Sequence, residues 1–407
     1  MPGLEDPREL LDRTFGPGGG PGGEIGLISA PGRVNLIGEH IDYHGLPVLP
    51  MAMRRSVRVA FRARADRTIR AVSAGGYGCR EFAWDPALVP AAAGDWENYL
   101  RAAAEAVAGK WGVGHGLDAA IVSDLPAAAG LSSSSALIVA FTLSLLEANQ
   151  RRPSFYELME ILPEGEQFVG TRGGGMDHAA SLASQEGCAS LIEFEPLSVR
   201  PIPVPQDWAF LVAHSLTVAE KSGPARQQYN ARRAAGTTAL SRLGFASYRA
   251  AIAAISARTP ADLEALAMSL PSADEQLSFL HVVTEALRVR AAVAALEQHD
   301  AAAFGGLLLE SHASLRDRLG VSCQPLDTLV EAAMASGALG ARLTGAGFGG
   351  CAVVFCMRRD LPDVRRELIG RFYSQSPEFD ASMHLIHAEP GSGALKCREE
   401  PHASLPT

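Results

Sequence analysis

Apolar and polar positions change their period several times along the chain, and each change marks an element. Residues 53–74, MRRSVRVAFRARADRTIRAVSA, alternate arginine or another polar residue with Val, Ala or Phe. That period of two predicts one or two antiparallel strands joined at ADR. From Trp96, WENYLRAAAEAVAGKWG spaces its apolar residues three and four apart and stops at Gly112, as a helix does. GLDAAIVSDLP reads as a strand and turn. SSSSALIVAFTLSLLEAN opens on hydroxyl residues and continues almost wholly apolar, which predicts a buried helix. PRELLDRTF predicts a short helix, and GPGGGPGG at 16–23 a flexible lead-in.

At Pro201–Pro205 the pattern breaks. The prolines of VRPIPVPQDWAFLVAHS argue against a central strand and predict a hinge between domains 1–204 and 205–407. Beyond it we expect Ala-rich helical segments, AFLVAHS leading to ARQQYNARRAAGTTALSRLG, then ADLEALAMSLPS and VVTEALRVRAAVAALE. ARLTGAGFGGCAVVFCM reads as a glycine-rich turn feeding an apolar strand, and the stretch after LIHAEPGSGALKC as frayed. Strands with helices in both halves predict an α+β protein.

Composition narrows the partners. The 407 residues are 47% apolar, enough for a core, and carry a formal net charge of -9. No nucleic-acid footprint follows from that balance. Arg54, Arg55, Arg58, Arg62, Arg64, Arg67 and Arg70 cluster, but their alternation reads as the solvated face of a strand rather than a polyanion site. The six cysteines lack zinc-finger or CxxC spacing, which suits inert thiols in a reducing compartment. No secretion-signal pattern and no membrane-length apolar run stands out, so the expectation is a cytoplasmic protein without membrane partners.

Three windows carry chemistry. SAPGRVNLIGEHIDYHGLPVLP, residues 29–50, sets Arg33, Glu39, His40 and Asp42 among apolar residues and glycines, as the floor of a polar pocket would. Zinc on His40, Asp42 and His44 lacks a third soft ligand nearby. In PAAAGLSSSSALIVAF, Gly130 permits an unusual backbone angle before Leu131, Ser132, Ser133, Ser134 and Ser135 open the buried helix. Such a start caps itself or binds an anion on its unpaired amides. In GTRGGGMDHAA, Asp177 follows Gly173, Gly174 and Gly175 and either caps a helix or acts as a base. LTGAGFGG, with Gly345 and Gly347, is a second glycine-rich loop similar enough to pack beside the first.

Together these windows resemble the GHMP family of small-molecule kinases and, within it, the galactokinase branch. PGRVNLIGEHIDYHGLPVLP resembles the galactokinase signature at nearly every position; GLSSSSA and LTGAGFGG resemble the second and third family motifs. The likeness runs from about residue 27 to 360 and is diffuse between motifs. It implies the two-domain GHMP kinase fold, with a ribosomal-protein-like N-terminal domain, a ferredoxin-like C-terminal domain and the active site between them. It implies ATP with Mg²⁺ as phosphoryl donor and the C1 hydroxyl of galactose as acceptor, in a monomer or weak dimer. By the same resemblance Arg33 and Asp177 are the catalytic pair. Glu39, His40, Asp42, Gly174, Gly175 and Tyr229 of QYNARR lie at sugar positions. The serine turn from Gly130 to Ser135, Gly345 and Gly347 hold nucleotide, and Trp96 of WENY lines the adenine pocket.

Departures point to neighbouring activities. Ile41, GTRGGGMD and LIEFEPL look like the N-acetylgalactosamine kinase branch, and His178 stands where the family usually has Gln. The glutamate usual twelve residues before the aspartate is Gly165 here, with Glu166 beside it, so Ser134 and Glu166 are the implied magnesium neighbours. The family also supplies non-catalytic sugar sensors, but a sensor needs no base at Asp177.

Overall fold

A computed structural model describes residues 5–17, 24–126, 130–168, 174–218, 224–255 and 260–396, with the side chains of 166–168, 224–226 and 260 outside that description. The first half is built on a five-stranded sheet of β1 (Gly26–Ile37), β2 (Leu49–Ala63), β3 (Thr68–Ser73), β4 (Gly78–Ala83) and β5 (Leu117–Ser123), in the order β1-β2-β5-β3-β4. All its pairs are antiparallel except β3 with β5. The alternating stretch 53–74 supplies most of β2 and all of β3, and the chain turns between them at residues 64–67, where ADR lies.

The arginine face is less wet than the alternation suggests. Helix α1 (Pro7–Phe15) lays Leu10 and Leu11 against Ala60, Ala120 and Val122 on that face. Arg62 is buried there and pairs with Asp12, while Arg64 and Arg70 share Asp118 at 2.9 and 2.6 Å. These arginines are held by carboxylates of α1 and β5 and form no bare basic stripe.

On the sheet's other face lie α2 (Glu97–Trp111), α3 (Ser133–Ala148), α4 (Phe155–Phe168) and α5 (Met176–Ala183). The absence of a polar stripe in α3 has a direct consequence: it is buried between β1, β2 and α2. Hairpin β6 (Cys188–Phe194) and β7 (Leu197–Pro203) closes this half. The proline-bearing β7 is an edge strand of a two-stranded sheet, where a missing amide costs little.

The second half begins with a correction. AFLVAHS is not helical: it is β8 (Trp208–His214), an inner strand of a four-stranded antiparallel sheet. Its residues are buried on both faces, so no polar position interrupts it to show a period of two. Helices α6 (Pro224–Arg242), α7 (Tyr248–Ile255), α8 (Pro260–Met268), α9 (Ala273–Glu297), α10 (Ala301–Ser314) and α11 (Gln324–Ala335) follow. Then come β9 (Gly340–Thr344), β10 (Cys351–Met357), α12 (Leu361–Leu368) and β11 (Leu385–Ala388), giving the sheet order β11-β8-β10-β9. Trp208, Phe210, Phe304 and Phe355 form one side's core, and Leu211, Leu329 and Val364 the other's.

The halves are joined twice over. One continuous core contains residues of both. Residues 391–395 also run back onto the first half, with Gly391 N donating to Ala52 O and Ala394 N to Ser181 O. The frayed stretch expected after residue 397 lies outside the described residues, as do residues 18–23 of the glycine-rich lead-in. Among the described residues, no helix is long and apolar enough to cross a membrane.

Candidate active site

The site grows from β1. Its ladder with β2 shifts register between Pro31 and Arg33 and again between Asn35 and Ile37. Such irregularities re-aim side chains, and here they bracket Arg33 and Asn35. Both are buried, and both make their bonds to other elements. Arg33 donates from Nε to Asp177 Oδ1 at 2.7 Å and from Nη1 to Gly130 O at 2.6 Å, while its amide reaches Leu131 O. Burial works against this guanidinium, but Asp177 and Glu39 outweigh it and hold its pKa above the usual arginine value. It is a fixed cation.

Asp177 sits in the first turn of α5, after Gly175 in a left-handed conformation. Its Oδ2 accepts from Ser132 Oγ at 2.5 Å. Gly174 permits a close approach: a Cβ there would lie 2.4 Å from Asp42 C and from Tyr43 N. The Gly174 amide donates to Asp42 Oδ2 at 3.0 Å. Burial, and then the charge of Asp177, push the Asp42 carboxyl up to about 6. Gly173 lies outside the described residues.

The two glycine loops do pack together. Gly130 and Gly345 both have positive φ, and a Cβ on either would come within 3.0 Å of the other loop's carbonyl oxygens, Thr344 O or Gly130 O. This contact sets the start of α3 against the end of β9. Ser133 and Ser134 are half-buried there, whereas Ser132 and Ser135 are buried. Gly347 serves a different contact, crowding Val321 O.

Glu39 ties β1 to the Gly345 loop. Its Oε2 accepts from Asn35 Nδ2 at 2.7 Å, and its Oε1 from the Gly345 amide at 2.6 Å, with Arg342 Nη2 3.6 Å away. Burial raises its pKa, against the pull of Arg342 and Arg33. Glu39 is therefore a held strut, not a loose acceptor. His40 is equally fixed. Its Nε2 donates to Ala346 O at 3.2 Å and its Nδ1 accepts from Tyr43 Oη at 2.9 Å, which suits a neutral ring. Burial and the neighbouring His281 lower its pKa to about 3. The Tyr229 ring, from α6, packs 5.1 Å from His40 and 5.7 Å from Tyr43.

Several residues of this assembly escaped the sequence reading. Helix α9 presents His281, Glu285 and Arg288 at helical spacing. His281 Nε2 donates to Glu39 O at 3.0 Å, and Glu285 Oε1 accepts from the Gly38 amide at 2.9 Å and from Ser311 Oγ at 2.7 Å. Arg288 pairs with Glu285 at 2.8 Å. Arg342 is fully buried and donates to Asn35 O and Leu36 O. Arg342 carried a signal, a cation within an apolar strand beside a glycine loop, and so did Asn35, two residues from Arg33 on one strand. The α9 residues carried none.

Trp96, expected at the adenine pocket, donates from Nε1 to Tyr77 O, and its ring lies under Arg80. Position 165 faces α2, where a Cβ on Gly165 would meet Ala102 O at 3.2 Å, which explains why no long side chain stands there. Among the described residues no three His, Cys, Asp or Glu side chains form a metal-binding group. Magnesium takes one or two protein oxygens alongside phosphates and water. The half-buried Ser134 hydroxyl at the helix start fits such a role, and the Glu166 side chain lies outside the described residues.

Comparison with known proteins adds to this geometry. Residues 18–63 match the galactokinase galactose-binding signature, residues 98–185 the N-terminal domain of GHMP kinases and residues 292–375 their C-terminal domain. The chain is 35% identical over 378 residues to a galactokinase of Roseiflexus sp., covering 92% of this chain and 94% of the relative. It belongs to the GHMP kinase family. Within that family it falls in the galactokinase subfamily, and it is also 35% identical to a Streptomyces coelicolor galactokinase over 91% of this chain and 94% of that one. A Lactococcus lactis galactokinase crystallised with galactose superposes with a TM-score of 0.83 at 27% identity, over 95% of this chain and 97% of that one. L. major mevalonate kinase has the same fold, with a TM-score of 0.60 at 19% identity over 90% and 97%. This GHMP kinase thus has the α+β, two-domain architecture of its family, with the ferredoxin-like sheet in the second half. None of these relatives is described as an N-acetylgalactosamine kinase.

Proposed function

We propose that this GHMP kinase transfers the γ-phosphoryl group of ATP to the C1 hydroxyl of galactose. The observation that carries the reading is the Arg33–Asp177 pair, set between the serine-rich start of α3 and the turn bearing His40 and Asp42. Phosphoryl transfer needs positioning and charge stabilisation more than covalent help, and this pair supplies a fixed base beside a fixed cation.

Asp177 accepts the C1 hydroxyl proton as the sugar oxygen forms its bond to the γ-phosphorus. The bond from that phosphorus to the bridging oxygen breaks, and ADP leaves. Arg33 keeps the aspartate ionised and offsets charge on the transferring group. The first amides of α3, with Ser133 and Ser134, receive the phosphates, and the contact of Gly130 with Gly345 holds the loop before them in place. Ser134 and Glu166 are the residues that would hold magnesium, which would offset charge on the phosphates. Asp42, Glu39, His40 and Tyr229 form the sugar side, where polar side chains held rigid reject a sugar whose hydroxyl points the wrong way.

The test is product chemistry. Incubation with ATP, Mg²⁺ and galactose should give a phosphorus signal of an anomeric sugar phosphate and an equal amount of ADP. Galactose binding without any sugar phosphate would mean that the protein is a sensor.

A further inference from the structure

Ser132 stands apart from the three serines that follow it. Its backbone is left-handed, with φ 57° and ψ 36°, a conformation that glycine adopts freely and residues with a Cβ avoid. It occupies the N-cap of α3, yet its side chain makes no capping bond to the helix. A serine in that position ordinarily accepts from an amide of the first turn. This one is 4% exposed and donates instead to Asp177 Oδ2 at 2.5 Å.

We propose that Ser132 is a positioning residue for the base, and that its hydroxyl does not belong to the phosphate cradle. The inference rests on the reading of Asp177 as the base that takes the sugar proton. Among the described residues, Arg33 Nε donates to Oδ1 of that carboxylate and Ser132 Oγ to Oδ2, so each oxygen has a donor. One donor leaves a carboxylate free to pivot; donors on both oxygens fix its plane. Bonds donated to a carboxylate are strong and favour its charged form. Arg33 contributes charge, and Asp42 and Glu39 nearby oppose the ionisation of a further carboxylate. The serine adds a donor without adding charge. It also explains why a residue with a Cβ stands where glycine suits the backbone better. Ser133 and Ser134, half-buried in the first turn, remain the hydroxyls for the anion.

Two substitutions separate hydroxyl from backbone. Ser132→Gly removes the hydroxyl and relaxes the left-handed residue; Ser132→Ala removes the hydroxyl and keeps the strain. Losing a hydrogen bond to a charged group predicts a fall in kcat of about 10- to 100-fold in both variants. The KM for ATP should stay within about twofold of the wild type, and the acid limb of the kcat–pH profile should move to higher pH. A Ser132→Gly variant with wild-type kcat and pH profile would overturn the proposal. So would a raised KM for ATP with an unmoved pH profile, since that returns the hydroxyl to the phosphates. If the wild-type protein phosphorylates no sugar, the kinase reading falls, but the bond is still decided. The ¹³C carboxyl resonance of Asp177, assigned by its loss in Asp177→Asn, should titrate at higher pH in Ser132→Gly than in the wild type, and an unchanged titration excludes the bond.

Discussion

Arg33 Nε lies 2.7 Å from Asp177 Oδ1, across 144 residues of sequence, and Nη1 of the same guanidinium is anchored on Gly130 O. The arginine therefore ties β1, the loop before α3 and the start of α5 to one point. Asp177→Asn keeps the shape of the side chain and removes the base. We expect kcat to fall by about 10²–10⁴-fold with little change in sugar affinity measured by calorimetry. Arg33→Lys should also lower kcat, because an ammonium cannot hold Asp177 and Gly130 O at once. An Asp177→Asn enzyme with full activity would remove the base assignment.

The glycine pair makes a separate prediction. Gly345 has φ 87°, and a methyl group there would come within 3.0 Å of Gly130 O. Gly345→Ala should cost about 1–3 kcal/mol of stability from the backbone and the contact together. It should also raise the KM for ATP by shifting the helix start. Denaturant midpoints and ATP titrations of the variant check both, and a neutral substitution would mean that the loops do not depend on this contact.

How much of this was legible follows from where each signal lies. The strands β2 and β3 and the helix α3 declared themselves by period and by hydroxyl start. Strand β8 did not, because a strand buried on both faces alternates nothing. Arg62 looked solvent-facing until α1 covered it. The glycine loops were legible as composition and as a similar pair, while the contact itself, Gly130 against Gly345 at positive φ, shows only in the fold. Glu285 and His281 were invisible because their partners, Gly38 and Glu39, are 247 and 242 residues away and nothing local marks them.

That same α9 network should hold the sugar turn. Glu285 is fully buried. Burial raises its pKa, but Arg288, His281 and Arg342 outweigh this and bring it down to about 2. Glu285→Ala leaves two buried arginines without that partner and frees the Gly38 amide. The expected loss is about 3–5 kcal/mol. A milder Glu285→Gln variant should fold and show a raised KM for the sugar with the KM for ATP unchanged. Equal effects on both substrates would argue that α9 supports the whole fold and not the sugar turn in particular.

Acid should unfold the protein early. Burial lowers His40 and His44 to about 3 and His214 and His281 to about 4. An unfolded histidine titrates near 6.5. Between those values the unfolded chain binds more protons than the folded one, so stability falls as pH drops from about 6.5 toward 4. Asp42, raised to about 6, acts in the opposite sense, since there the folded state binds the extra proton. Glu39, also raised by burial, acts in the same sense as Asp42, while His312, lowered to about 4, joins the four histidines. Among the described residues the histidines therefore dominate, each with a limiting slope of about 1.4 kcal/mol per pH unit. Urea midpoints should drop steeply between pH 6.5 and 4.5, and His281→Asn should flatten the curve. A midpoint independent of pH over that range would contradict the neutral, buried histidines.

The most direct test of the whole account is kcat/KM for galactose, N-acetylgalactosamine and glucose, measured side by side with ATP and Mg²⁺. Side chains held rigid at Glu39, His40 and Asp42 predict galactose as the best substrate, with glucose at least about 100-fold worse and N-acetylgalactosamine between them. A clear preference for N-acetylgalactosamine would contradict the galactose assignment and leave the Arg33–Asp177 chemistry standing. Equal rates on galactose and glucose would contradict the claim that these fixed side chains read the sugar at all.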